Sequence, residues 1–348
     1  MGKARNEKSQ MENRKEARFA RLMAVGAIAV ACCAAHGSTA SLADDAVLRL
    51  IEPPSGYAAF AHSVTVAGKY DCGAFTVTSL RQANGPGTWQ RVFVATPKDG
   101  AAKHPAVVAP FYFPEAMLGF DPATGSVESP LALSRTNLTS YSEIAYMSVL
   151  AKRGYVVATA DSYHLTYAVS NAPANAWAKW GHAARALKRD WPGWSGVGKL
   201  VFDTKLLVDL LVGMKEVDAA RIGIIGHSLG GKMAFYTGCL DKRIKVVVAS
   251  DFGIGWDQTN WSDVWYWGDA LAAIRKSGFD NSRFLARAGG KPFCLIAGKY
   301  DDASSGALVR RVPGYEGDRF LFVNHATGHR PPLWASESGY RFLDAHLK

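Results

Sequence analysis

The sequence is poor in cysteine. It has five in 348 residues, and Cys32 and Cys33 fall in an N-terminal stretch that reads as a leader. Cys72, Cys239 and Cys294 remain, an odd set, so at most one internal bridge can form and a disulfide-built scaffold is excluded. No cysteine or histidine spacing matches a zinc site, and no metal ligands are assigned. Basic residues form no run beside aromatics, which removes the usual mark of a nucleic-acid partner. There is no internal repeat and no low-complexity linker after residue 44. Long hydrophobic runs are lacking as well: the apolar stretch from Leu22 to Ala35 is shorter than the ~20 residues of a membrane span.

That stretch has a different meaning in its context. Lys3, Arg5, Lys8, Arg14, Lys15, Arg18 and Arg21 precede it, and Ser41-Leu42-Ala43 follows just before Asp44-Asp45. A basic start, a short apolar segment and small residues at the cut describe a secretory signal peptide over residues 1–43. A periplasmic or secreted protein is expected, with no stable membrane span once the leader is cleaved. The length of the basic segment leaves Met11 open as the start, and a retained anchor is the alternative. Ala29-Val30-Ala31 before Cys32 is a poor lipobox. Without the leader the formal charge falls from +10 to +6, a mild and dispersed excess that favours solubility.

Residues 44–104 are expected to hold a lead-in and a hairpin. Phe75–Leu80 and Trp89–Ala95 alternate in polarity around Asn84-Gly85-Pro86-Gly87. Residues 105–348 then alternate apolar strands (105–110, 156–161, 222–225, 244–249, 293–297 and 320–324) with helical segments (141–152, 199–212, 232–240, 269–287 and 335–347). The pattern predicts an α/β fold with a mostly parallel sheet of about eight strands, helices on both faces and Trp-rich excursions over the site. In such sheets ligands bind at the carboxyl ends of the strands.

Gly226-His227-Ser228-Leu229-Gly230 lies between an apolar strand and a helix. A sharp turn there exposes the Ser228 hydroxyl at the positive end of the helix and aims the Leu229 N–H at a developing oxyanion. Serine needs a base, and in this arrangement an acid and then a histidine follow in the chain. His329, in a loop after Gly328, can swing over the nucleophile. His325, ending the last strand, suits a structural role but stays open. Asp301, beyond Gly298, is the favoured acid; Asp302 suits a cap, and Asp251 is a third option. A second oxyanion donor is expected from the Phe111–Glu115 loop, with the Tyr112 backbone as the candidate.

From about Pro105 to Leu347 the chain resembles the α/β-hydrolase superfamily. It is most similar to the branch of dienelactone-hydrolase-like proteins, acetylxylan esterases and prolyl-oligopeptidase-type catalytic domains. Leu150–Val157, Val217–Gly223, Gly226–Gly231, Asp241–Ile244 and Gly328-His329 carry the resemblance. It implies an eight-stranded sheet, no cofactor and a triad on Ser228, Asp301 and His329. The Phe111–Pro114 loop departs from the His-Gly type common in the superfamily, and too few residues precede Pro105 for a β-propeller.

Eight of the ten tryptophans lie between Trp177 and Trp267. Both clusters follow strand ends, so Trp194, Trp256 and Trp261 are candidate substrate walls, with core packing as the alternative. An exported serine hydrolase cleaving a carboxylic ester, on a small molecule or a carbohydrate, is the expected function. A small-peptide peptidase or amidase and a hydrolase-fold binding protein without turnover are the rivals.

Overall fold

A computed structural model describes residues 44–348 except 129–136, 174 and 300. The expected signal peptide lies outside the described residues. Residues 44–48 are helical, and Arg49–Lys348 form one compact body.

That body is built on a nine-stranded sheet: β1 (Val64–Asp71), β2 (Phe75–Gly85), β3 (Thr88–Pro97), β4 (His104–Val108), β5 (Val156–Ala160), β6 (Val217–His227), β7 (Ile244–Ser250), β8 (Phe293–Ala297) and β9 (Phe320–Asn324). The spatial order is β1-β2-β3-β5-β4-β6-β7-β8-β9. β1, β2 and β3 pair antiparallel and join β5 antiparallel, while β5 through β9 are mutually parallel. The expected hairpin is β2–β3. The ninth strand is β1, which was read only as lead-in. It is an edge strand with mostly exposed residues and no buried face to mark it in the sequence.

The helices used below are α1 (Pro114–Leu118), α2 (Tyr146–Lys152), α3 (Ala176–Asp190), α4 (Gly196–Val212), α5 (Leu229–Leu240), α6 (Ala270–Lys276), α7 (Ser282–Ala288), α8 (Ala303–Arg310) and α9 (Leu333–Leu347). Several expected boundaries shift. The helix expected at 141–152 is a 3-10 segment, Leu138–Ile144, then α2, with Ala145 non-helical between them. The helix expected at 269–287 divides into α6 and α7 around Gly278, whose φ of 72° stops the first. α1, α3 and α8 lie outside the expected helical segments. Asp302 caps α8 by accepting the Ser304 N–H at 2.8 Å.

β4 is followed by β5 on one side of it and flanked by β6 on the other. The order therefore reverses at β4/β6, and a crevice opens at their carboxyl ends. The loop after β4 and the turn after β6 meet there. α5 starts at that turn and is buried along nearly its whole length. The fit requires bare backbone. A Cβ on Gly226 would lie 2.0 Å from the Gly230 carbonyl oxygen, and one on Gly230 would lie 2.0 Å from that of Pro110. Gly230→Ala is accordingly expected to cost about 1–3 kcal/mol by overpacking. A urea unfolding midpoint unchanged from wild type would contradict this close packing.

Candidate active site

Ser228 links β6 to α5 with φ 55° and ψ −113°, a conformation rarely tolerated by a residue with a side chain. Two backbone bonds hold it there. Its N–H donates to Ser250 O at 2.8 Å, and its carbonyl accepts from the Lys232 N–H at 3.0 Å. The hydroxyl lies 2.8 Å from His329 Nε2. The structure thus brings together the serine and the histidine singled out in the sequence, across 101 residues of chain.

His325 is turned elsewhere. Its Nδ1 lies 2.6 Å from Thr327 Oγ1, and its Nε2 lies 3.1 Å from Asp251 Oδ1. Both ring nitrogens are engaged within the loop base, as suits a structural residue. Gly298 lets this base close up: a Cβ there would be 2.5 Å from Asp251 Oδ1, from Gly328 O and from His325 Cε1. The Lys299 N–H donates to Thr327 O at 2.7 Å and pins the same loop to the end of β8.

The two buried acids have different partners. Asp251, at φ 49°, accepts the Ser250 hydroxyl at 2.6 Å besides contacting His325. Burial pushes its carboxyl up to about 8, with the charge of Asp301 adding to the rise and the Ser250 bond opposing it. Asp301 is 1% exposed, and among the described residues no side chain bonds either of its oxygens, although the Gly253 N–H lies close enough to hold its pKa down slightly. The expected bond from Asp301 to His329 is therefore absent from this arrangement. Burial raises Asp301 to about 7, against the pull of the Lys232 ammonium.

Lys232, one turn along α5 from Ser228, escaped the sequence reading. Its ammonium is buried, donates to Asn260 Oδ1 at 3.2 Å, and lies 4.7 and 4.8 Å from the ring centres of Trp261 and Tyr266. Burial lowers its pKa to about 7, opposed by Asp301 and Asp263. His329 is lowered to about 4 by crowding in the cleft, then by the charges of Lys232, Arg330 and His325. The residue still reaches solvent, so water screens part of that effect. The imidazole is neutral at physiological pH and can accept a proton.

Ser228 and His329 open into a cleft of about 680 Å³. One wall is aromatic and apolar: Phe111, Tyr112, Tyr141, Ile144 and Trp177. The other is polar: Asp257, Gln258, Thr259 and Asn260, with Arg330 beside His329. Tyr112 stacks on Trp180 at 4.4 Å, and Trp177 stacks on Trp265 at 5.8 Å while remaining 59% exposed.

The three tryptophans chosen from sequence are not on this surface. Trp194 is buried and donates to Ile51 O, Trp261 is buried and donates to Gly253 O, and Trp256 donates to Phe279 O. They pack the supports of the excursions, because an indole N–H that finds a carbonyl favours burial. Trp177, from the same Trp-rich stretch, is the tryptophan that lines the cleft. The three described cysteines are free thiols. Among the described residues no helix is long and apolar enough to cross a membrane.

Residues 197–252, which span α4, the serine turn and β7, match the acetyl xylan esterase (AXE1) family. "Putative hydrolase YtaP" of Bacillus subtilis (strain 168) is 43% identical over 51 residues, which are 15% of this chain and 17% of that protein. Among solved structures, a glucuronoyl esterase from Solibacter usitatus superposes with a TM-score of 0.63 at 17% identity, covering 85% of this chain and 87% of the other. Acetyl xylan esterase 1 from Thermoanaerobacterium sp. superposes with a TM-score of 0.55 at 15% identity, over 88% and 94%. The chain has the α/β-hydrolase fold.

A serine held against a neutral imidazole should be chemically distinct from every other hydroxyl in the chain. A fluorophosphonate probe is expected to label the wild type once and to leave Ser228→Ala unlabelled. Equal labelling of the two would remove Ser228 from the site.

Proposed function

We propose that the protein is a serine esterase that cleaves carboxylic esters, carbohydrate-linked ones in particular, through Ser228 and His329. The contact between Ser228 Oγ and His329 Nε2 carries this reading. His329 Nε2 takes the hydroxyl proton as Oγ attacks the ester carbonyl. The Leu229 N–H, at the first turn of α5, and the Tyr112 N–H, in the loop after β4, stabilise the resulting oxyanion. Collapse to the acyl-enzyme expels the alcohol, which takes its proton from His329. Water then repeats the sequence and frees the acid.

Asp301 is the acid of the proposed triad, because no described side chain occupies its buried oxygens while Asp251 is taken up by Ser250 and His325. The family match at the serine turn favours an ester. The cleft favours a sugar: its apolar wall suits a ring face and its polar wall suits hydroxyls. Export to the periplasm or beyond rests on the leader pattern of residues 1–43 and belongs to the same proposal.

Activity toward 4-nitrophenyl acetate and acetylated xylo-oligosaccharides tests the reading. Ser228→Ala and His329→Ala should each lower kcat/KM by about 10⁴-fold or more. Asp301→Asn should cost less than either and more than Asp251→Asn, whereas the reverse order would move the acid to Asp251. Turnover of amides with none of esters would replace the esterase by an amidase.

The acid limb of the rate profile follows from His329. Its pKa is depressed, so the neutral base is present above that pKa and is lost as pH falls through it. The midpoint of kcat/KM should lie below pH 6.5. A midpoint at or above 6.5 would contradict a depressed His329 as the base.

A further inference from the structure

Arg91 lies on β3, outside the cleft lining, yet it joins three elements behind the loop that follows β4. Its Nε donates to Asp161 Oδ2 at 2.9 Å and its Nη2 to Asp161 Oδ1 at 3.0 Å. Nη1 donates to Glu115 Oε1 at 2.5 Å, and Nη2 also reaches Glu115 Oε2 at 3.2 Å. One guanidinium thus forks onto two carboxylates, an arrangement that the point charge of lysine cannot copy. Both carboxylates are buried while Arg91 is half-buried. Burial opposes the charge on Arg91, but Asp161 and then Glu115 hold its pKa above the ordinary value.

The partners explain what this clamp holds. Glu115 sits in the first turn of α1, three residues after Tyr112. Asp161 follows β5, and the next residue, Ser162, donates its N–H to Tyr112 O at 3.0 Å. The Phe111–Phe113 backbone is therefore gripped on its far side through Glu115 and at its middle through Asp161 and Ser162. Its near side is fixed by Pro110, whose carbonyl oxygen occupies the space that a Gly230 side chain would need. Among the described residues no acceptor is paired with the Tyr112 N–H.

We infer that Arg91 is a positioning residue for the second oxyanion donor: the Arg91–Glu115–Asp161 clamp fixes the Phe111–Phe113 backbone so that its N–H faces the oxyanion formed at Ser228. The inference rests on the esterase reading above. A displacement of about 1 Å at such a donor can cost about 10²-fold in rate, and removal of one donor about 10²–10³-fold. Arg91 itself lines no part of the cleft, and of the cleft lining only Phe111 and Tyr112 belong to the loop it clamps.

The test compares wild type, Ser228→Ala, Arg91→Lys and Glu115→Gln in the full chain. The readouts are kcat and KM for 4-nitrophenyl acetate, inhibition by phenylboronic acid, and Tm. Arg91→Lys should lower kcat by about 10- to 100-fold with KM within about 3-fold. Its boronate inhibition constant should rise in step with the loss in kcat/KM, because the tetrahedral adduct needs the same donor. Glu115→Gln should move both quantities in the same direction by less. Folded variants with unchanged kcat would overturn the inference. So would a raised KM at constant kcat, or a loss of kcat that leaves boronate inhibition untouched. If Arg91→Lys does not fold, the kcat and boronate values of Glu115→Gln decide on the same terms. A wild type no more active than Ser228→Ala would sink the esterase reading and this inference together, an outcome distinct from an active wild type with unaffected variants.

Discussion

The site depends on a crossing of backbone at Ser228 with no room for a methyl group. Gly226, Gly230 and the Pro110 carbonyl pack so closely that the turn after β6, the start of α5 and the loop after β4 form one solid junction. The strained φ of Ser228 costs about 1–3 kcal/mol. It is offset by the burial of α5 on all sides and by the paired Ser228 N–H and carbonyl. Because the junction is rigid, the serine hydroxyl, the helix end and the loop amides keep their geometry before any substrate arrives. That preorganisation is what an oxyanion site requires.

A second constraint is electrostatic. Lys232, Asp251, Asp301, His227, His325 and His329 crowd the base of the cleft, and burial pushes each toward its neutral form. Such clusters of shifted groups are a common mark of catalytic sites. The charges also work on one another. Lys232 restrains the rise of Asp301, and its own positive charge helps keep His329 unprotonated. The Asp251–His325 contact consumes one acid and one imidazole, leaving Ser228 and His329 facing each other.

What could be read in advance follows from how local each requirement is. The serine turn is a problem of adjacent backbone atoms, so it is written in five consecutive residues. The position of His329 follows from chain order and from a glycine before it, and His325 could be set apart as a strand-end residue. The α/β pattern was legible because buried parallel strands are apolar on both faces. The tryptophans were not legible, since whether Trp194, Trp256, Trp261 or Trp177 meets solvent depends on carbonyls and rings brought from distant segments. Lys232 was hidden for a similar reason: a lysine on a helix normally marks a solvent face, but α5 has none. β1 carried no signal because an exposed edge strand needs no buried side. The partner of Asp301 is a matter of a few ångströms in a loop and has no trace in the pattern of residues.

The width of the cleft follows from the same sheet that carries the serine. Its polar wall is the excursion after β7, tied to α5 through Lys232 and Asn260. Its aromatic wall begins in the loop after β4, tied to β3 and β5 through Glu115 and Ser162, and continues in Trp177 on α3. Each wall is thus anchored to a different side of the point where the strand order reverses. Moving either loop means breaking one of these polar contacts or reopening the Gly230–Pro110 junction. The two anchorages thus meet at the β4/β6 junction, beside the backbone crossing that strains Ser228.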